Sequence, residues 1–149
     1  MDLPSLEEER EVPLLRVEDA MRPPLGQTLT GKLLLHEARQ RVQGSAQDYF
    51  VVGMGGDEWS GMSRAVLLDM IPNSDIPLSQ VLTARIPYLH PDHPLDTALR
   101  LIGGRPMLPV VHRAHVQQLL GVVSLDDVMR AYRGAGINES HPEPAPVVP

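Results

Sequence analysis

An internal repeat constrains this chain more than any other feature of its sequence. The segment Leu-His-Glu-Ala that begins at Leu35 returns as Leu-Asp-Thr-Ala at Leu95, and Tyr-Phe-Val-Val from Tyr49 returns as Leu-Pro-Val-Val from Leu108. A shared separation of about sixty residues is that of a duplicated structural unit. Two copies of one unit therefore make up most of the chain.

The remainder of the alignment follows the same spacing. Ser63 aligns with Ser124, and a lead-in that ends at Met21 aligns with one that ends at Leu82. A unit this small buries too little apolar surface to stand alone. We therefore expect the two copies to pack sheet to sheet around a pseudo-twofold axis, an arrangement that leaves two clefts between them.

The second copy has the clearer local pattern. Apolar residues at helical spacing follow Pro94, which suits the first position of a helix, and Gly103 and Gly104 end the run. Two short apolar runs then predict a hairpin. The predicted elements are a helix over 94–102, strands at Leu108–Val111 and Leu119–Val123, and a helix from Ser124 to Gly134.

The first copy gives the same order of elements with weaker signals. The pattern predicts a helix near 33–42 closed by Gly44, a strand at Tyr49–Val52, a glycine-rich turn over 53–57 and a helix near 63–70. Each unit therefore reads as strand, helix, strand, strand, helix. We assign residues 1–13 to a linker, 14–73 to the first unit, 74–133 to the second unit and 134–149 to a disordered Pro-rich tail.

Composition excludes several classes of function. Lys and Arg number 13 against 19 Asp and Glu, for a net charge of -6, so binding of nucleic acid through its phosphates is not expected. The absence of cysteine removes disulfides, thiol catalysis and every Cys-based metal site. The start of the chain lacks the pattern of a signal peptide, and no apolar run approaches the ~20 residues that span a bilayer, so we expect a soluble segment without direct membrane insertion.

Several of these segments resemble those of a known family. The lead-in ending at Met21, the strand at 108–111 and above all the segment Gly-Val-Val-Ser-Leu-Asp-Asp-Val over 121–128 resemble a tandem pair of CBS domains, or Bateman module, across residues 14–133. The resemblance implies an α+β fold of two tandem CBS-type βαββα units packed around a pseudo-twofold axis. More narrowly, residues 12–21 and 127–133 resemble the cytoplasmic C-terminal CBS region of prokaryotic CLC-type chloride channels and transporters.

Ser124 and Asp127 form the candidate site. They lie where a strand passes into a helix, so unsatisfied backbone N–H groups and the positive end of the helix dipole favour an anion there. A carboxylate can accept hydrogen bonds from both vicinal hydroxyls of a ribose, and the resemblance implies this role for Asp127, with Ser124 near the phosphates. The alternative is a capping box that serves the helix alone, and the two roles are compatible.

The resemblance also implies where an adenine ring is held. Carried over position by position, its contacts are Leu29 and Thr30 at the first strand, and Ala46 and Gln47 before the second. Asp126 disfavours added phosphate charge, so AMP or ADP should bind at least as well as ATP. In the other cleft Val66 stands where Asp127 stands here, so we expect one nucleotide per chain.

Other patterns are weaker. The pairs His90 with His93 and His112 with His115 have a spacing that metals accept, but they fall in predicted loops, and we expect no metal. The glycines over 53–56 read as a turn rather than a phosphate loop. No motif indicates a nucleophilic triad, so we do not expect an enzyme.

These observations together predict a regulatory module that senses an adenine nucleotide (AMP, ADP or ATP). We expect a homodimer formed through apolar helix faces at Leu67, Met70, Val128 and Met129. The host is expected to be the membrane-embedded part of a CLC-type channel, which places the module at the cytoplasmic face. The alternatives are a structural dimerisation module with a vestigial cleft and a regulatory fragment of another enzyme or transporter.

Overall fold

A computed structural model describes residues 14–24, 28–70 and 76–136. The predicted linker at 1–13 and the part of the predicted tail at 137–149 lie outside the described residues. Gly134 ends the last helix, and residues 135–136 form a turn. The unit boundaries assigned from the sequence stay a prediction.

The first unit is a three-stranded sheet with two helices, and it confirms the mixed α+β class. Strand β1 pairs in parallel with β2, which pairs antiparallel with β3. The elements are β1 at Leu29–Thr30, α1 at Leu35–Gln43, β2 at Tyr49–Gly55, β3 at Glu58–Ser63 and α2 at Arg64–Asp69.

The second unit repeats this order with a shorter first strand. Leu89 makes a single parallel bridge to Val110 where the first unit has β1, because Pro87 and Pro91 flank it and cannot donate to a ladder. The elements are α3 at Leu78–Val81, α4 at Leu95–Ile102, β4 at Leu108–Val111, β5 at Leu119–Val123 and α5 at Leu125–Gly134.

Three local predictions differ from the structure. The helix expected from residue 33 begins at Leu35, because the backbone N–H of Leu34 donates to the carboxylate of Glu37, 3.0 Å away, and Leu34 becomes the cap. Pro94 is likewise a cap and not the first helical residue. The glycine-rich segment extends β2 to Gly55 through a register shift, and the turn is confined to residues 56–57.

Side chains that alternate along the strands divide between three apolar clusters. Phe50 and Val52 of β2 point into the core of the first unit, whereas Val51 points to the interface between the units. In β5, Val123 points into the core of the second unit and Val122 into the interface. The interface cluster joins the sheets of the two units, as expected for units too small to fold separately.

The lead-in segments cross between the units. Val17, in a 3₁₀ helix at Val17–Asp19, is fully buried in the core of the second unit, and the backbone N–H of Leu95 donates to the carbonyl of Leu15 at 2.8 Å. Conversely, Leu78 and Leu82 lie in the core of the first unit. Each unit therefore completes its core with the lead-in of the other.

No helix among the described residues is long and apolar enough to cross a membrane.

Candidate functional site

The junction of β5 and α5 is built as a capping box. The Ser124 hydroxyl accepts from the backbone N–H of Asp127 at 3.2 Å, and the Asp127 carboxylate accepts from the backbone N–H of Ser124 at 2.9 Å. The helix begins here because both groups satisfy N–H donors that lack a partner within the helix. The capping interpretation of this motif is thus confirmed, and it leaves a ligand role open.

Asp127 is buried and ion-paired with a residue far away in the sequence. Only 2% of its side chain is exposed, and its Oδ2 accepts from Nε of Arg22 at 2.9 Å. Arg22 lies just after the first lead-in, beside β5, where its backbone exchanges two hydrogen bonds with Val122. The first lead-in therefore places the guanidinium group of Arg22 beside the carboxylate that is the predicted ligand-binding group.

The environment of Asp127 keeps the carboxylate charged. Burial alone raises its pKa, but hydrogen bonds from Arg22 and from Ser124 outweigh burial and hold the pKa below its usual value. An acceptor for ribose hydroxyls must be ionised to accept from both. Asp127 meets that requirement at neutral pH.

The neighbouring charges are also paired. Arg130 donates to Asp127 at 3.2 Å and to the carboxylate of Asp126, one turn before it. Two guanidinium groups thus face two carboxylates at the start of α5. The expectation that Asp126 repels phosphate took only the charge of Asp126 into account. In the structure, Arg130 balances that charge.

A small cavity between the units lies near this site, since Val122, two residues before Ser124, lines it. Its volume is about 20 Å³, and its other described lining residues are Pro24, Thr28, Gln47, Phe50, Val51 and Leu119. This volume holds about one water molecule, whereas sites for small molecules are ~300 Å³ or larger. The cavity that these described residues line is too small for an adenine ring.

The four predicted adenine contacts are not brought together. Thr30 pairs with Gly53 of β2. Gly53 lies about 13 Å along that strand from Tyr49, at its other end, and Gln47 lies two residues before Tyr49. Gln47 lines the small cavity and donates to the carbonyl of Tyr49 at 2.8 Å, and Ala46 is exposed.

The two residues of the first strand point elsewhere. Leu29 is buried in the core of the first unit and pairs with Val52, and as a whole residue it is only 1% exposed, so neither its side chain nor its backbone is open to a ligand in this arrangement. Thr30 lines a separate cavity of about 330 Å³ with Lys32, Ser79 and Gln117. Thr28, the residue before this strand, lines both cavities, and Gln47 lines the smaller one with it.

Sequence reasoning missed Arg22, Pro24 and Thr28. One feature of the sequence could have pointed to Arg22. It directly follows Met21, whereas the residue that follows the aligned Leu82 in the other copy is the uncharged Thr83. No feature of the sequence pointed to Pro24 or Thr28. They reach the cleft because the first lead-in crosses to the second unit.

The second cleft has the cap without the carboxylate. The Ser63 hydroxyl accepts from the backbone N–H of Val66 at 3.1 Å, which matches the Ser124 geometry. Val66 is 53% exposed and offers no acceptor. The two clefts therefore differ in chemistry although their backbones correspond.

The histidine pairs serve their loops. Nδ1 of His93 accepts from the backbone N–H of His90 at 3.1 Å, and Nδ1 of His112 accepts from that of Ala114 at 3.0 Å. Within the described part of the chain, no group of three or more His, Asp or Glu side chains has the arrangement of a metal site.

Comparison with known proteins identifies the class of fold. Residues 78–134 match the family model of the CBS domain. A comparison with curated protein sequences gives no significant match.

Solved structures match across both units. The CBS domains of a transcriptional regulator from Streptococcus pneumoniae are 22% identical, with a TM-score of 0.60 over 79% of this chain and 99% of that one. The CBSX2 protein in complex with AMP is 17% identical, with a TM-score of 0.61 over 81% and 98%. The CBS domain of a bacterial CNNM/CorC family Mg²⁺ transporter is 15% identical, with a TM-score of 0.61 over 90% and 82%. The chain therefore has the fold of a CBS domain pair, and its matches include regulator and transporter modules.

Proposed function

We propose that this chain is a non-catalytic regulatory module that senses an adenine nucleotide in the cleft containing Asp127. The observation that carries the proposal is a buried, ionised carboxylate at the start of a helix, just after β5, whose Val122 lines a cavity between the two units. Its charge suits the vicinal hydroxyls of ribose, and the helix N-terminus suits a phosphate. The likeness to a CBS pair that binds AMP supports this assignment.

The mechanism follows from the position of the cleft. A nucleotide that contacts both units stabilises the arrangement of units to which it binds more tightly. The first lead-in touches the second unit at Val122 and packs its Val17 into the core of that unit. A change in that arrangement therefore reaches the N-terminal end of the described chain.

Calorimetry with AMP, ADP and ATP tests the nucleotide site. Asp127→Asn keeps the shape of the side chain and removes the charge, and we expect binding to weaken about tenfold or more, because a hydrogen bond to a charged group contributes about 1.5–3 kcal/mol. The matched control is Asp96→Asn, an acid in the first turn of α4, which should leave affinity unchanged.

Two results would overturn the nucleotide site. One is undiminished binding by a folded Asp127→Asn protein, and the other is no heat from any of the three nucleotides with the unmutated protein. Thermal unfolding of the variant, measured in parallel, separates loss of the site from loss of the fold.

A structural dimerisation module with a vestigial cleft is the second candidate. It is favoured by one observation, the small volume of the cavity that Gln47 and Val122 line between the units. The same titration decides between the two, because a vestigial cleft gives no heat with any adenine nucleotide.

We further propose that the module is a homodimer, through a set of residues that differs in part from the one expected. Leu67 and Val128 are fully buried within their own units and cannot form a contact between chains, whereas Met70 and Met129 are half-buried. Val66 and Leu125, at the starts of α2 and α5, and Leu99 of α4 are 53%, 47% and 42% exposed and are the exposed large apolar side chains of the described helices. Sedimentation that shows only monomer at high micromolar concentration would count against the dimer.

The proposed host is the membrane-embedded part of a CLC-type chloride channel or transporter, with this module at its cytoplasmic face. The support is the resemblance of residues 12–21 and 127–133 to such tails. The full-length gene product tests this proposal: a CLC-type membrane region supports it, and an enzyme or a magnesium transporter joined to this module rejects it.

A further inference from the structure

We propose that Arg22 is an internal competitor for the ribose site, so that a nucleoside binds only when the Arg22 side chain leaves Asp127. The inference rests on the proposed nucleotide function and concerns its regulation. It follows from how the acceptor positions of one carboxylate are used.

The Asp127 carboxylate is already engaged by four donors. Its Oδ2 accepts from Nε of Arg22, from the backbone N–H of Ser124 and from the Ser124 hydroxyl, each at 2.9 Å. Its Oδ1 accepts from Arg130 at 3.2 Å. A carboxylate offers about four acceptor positions in all. A ribose donates two hydroxyl hydrogens, so two of the present donors must leave.

Arg22 and the Ser124 hydroxyl are the two donors that can leave Oδ2 without breaking the helix cap. Of the two bonds from Ser124, only that of its backbone N–H belongs to the capping box that starts α5, and the hydroxyl can turn away while it still accepts from the backbone N–H of Asp127. The Arg22 side chain belongs to no cap and is 39% exposed, so water can receive its guanidinium. Oδ1, which carries one donor, accepts one ribose hydroxyl, and Oδ2 accepts the second only when both Arg22 and the Ser124 hydroxyl have left it.

The backbone of Arg22 is fixed while its side chain is free to move. Its N–H and carbonyl each form a 2.9 Å hydrogen bond with Val122. Gly121 permits this approach, because a Cβ built there would lie 2.5 Å from the Arg22 carbonyl oxygen and 3.3 Å from the Met21 sulfur. Release of the site therefore needs only rotation of the Arg22 side chain and of the Ser124 hydroxyl, and the lead-in stays docked.

The second cleft lacks both members of the pair. Val66 replaces the carboxylate, and Thr83, which follows Leu82 as Arg22 follows Met21, replaces the guanidinium. The arginine therefore occurs in the cleft that has an acceptor for it.

Adenosine is the probe, because without a phosphate it cannot be attracted by the Arg22 charge. We expect Arg22→Gln to bind adenosine about three- to tenfold more tightly than the unmutated protein. The matched control is Arg85→Gln. Arg85 also pairs through Nε with a carboxylate, that of Glu58, at 3.1 Å and 41% exposure, and its loss should leave the affinity unchanged. Arg22→Met, which keeps the apolar stem, replaces Arg22→Gln if that variant does not fold.

A second measurement uses the unmutated protein. The Nε–H nuclear magnetic resonance signal of Arg22 should shift or broaden as adenosine is added, while that of Arg85 stays in place. Unchanged or weaker adenosine binding by the folded Arg22 variants, or an Arg22 signal unmoved at saturation, overturns the competition and leaves the nucleotide site standing. No binding of adenosine or AMP to any of these proteins rejects the nucleotide site and the competition together.

Discussion

At the scale of the residue, Asp127 links helix capping, ion pairing and the proposed ligand site. The hydrogen bonds that depress its pKa stabilise the folded protein, because the native carboxylate loses its proton more readily than the unfolded one. That contribution is fully present well above the ordinary value of 3.8 and is lost as the pH falls through the lower native value.

We expect Asp127→Asn to lower the free energy of unfolding by about 2 kcal/mol at neutral pH. The difference from the unmutated protein should stay constant above about pH 5 and shrink below the unfolded pKa, since protonation removes the same charge. Urea unfolding between pH 7 and pH 3 checks this. A difference that stays the same down to pH 3 would show that Asp127 is not stabilised as an anion.

The two halves of this site were not equally predictable. Ser124 and Asp127 are three residues apart, so their contact follows from helix geometry alone. Arg22 and Asp127 are separated by 105 positions. No local pattern determines such a contact, which depends on where the lead-in crosses.

At the scale of the element, the site depends on the docking of the first lead-in against β5. That docking is a main-chain contact across Gly121, and a side chain at this position has no room. The docking of the lead-in therefore depends on the absence of a side chain at Gly121 as well as on the apolar side chains of the lead-in itself.

We expect Gly121→Ala to lower the free energy of unfolding by about 1–3 kcal/mol, as added atoms do in a tightly packed place. Gly44→Ala is the control, because a Cβ there meets nothing within 4 Å, so that variant should be as stable as the parent or slightly more stable. Equal stability of the two variants in thermal melts would contradict the close approach.

The sequence predicts which elements form better than where they end. Helices α4 and α5 were predicted within a residue or two, because glycine, proline and serine mark their ends. The extension of β2 to Gly55 escaped prediction because Gly55 and Gly56 adopt positive φ, which continues the hairpin through a bulge.

At the scale of the whole molecule, the units share an interface that contains the single tryptophan. Trp59 is 1% exposed, and its indole N–H donates to the carbonyl of Val116 in the other unit at 2.8 Å. Its fluorescence therefore reports on the contact between the units, whereas circular dichroism reports on the helices of both.

We expect fluorescence and circular dichroism to give one coincident unfolding transition. Val17→Ala, which removes methyl groups from the core of the second unit, should shift both transitions equally, by about 1–2 kcal/mol. Leu14→Ala is the control, since Leu14 is 86% exposed. Separate transitions in the two signals would show that the units unfold independently.

The repeat predicts two units in one fold but is silent on the exchange of lead-ins. Both lead-ins carry the same apolar pattern, so either fits either core as far as the sequence shows. Only the structure distinguishes Val17 in the second core from Leu78 and Leu82 in the first.

The crossing of the lead-ins has a mechanical consequence. Residues 15–21 and the helix α5 both pack on the core of the second unit. A pulling force applied between Leu14 and Gly136 is therefore carried by the second unit. The first unit lies between these contacts in the chain and is not under tension. Under load the second unit should yield first, and the salt bridge between Arg22 and Asp127 lies directly in the path of that load.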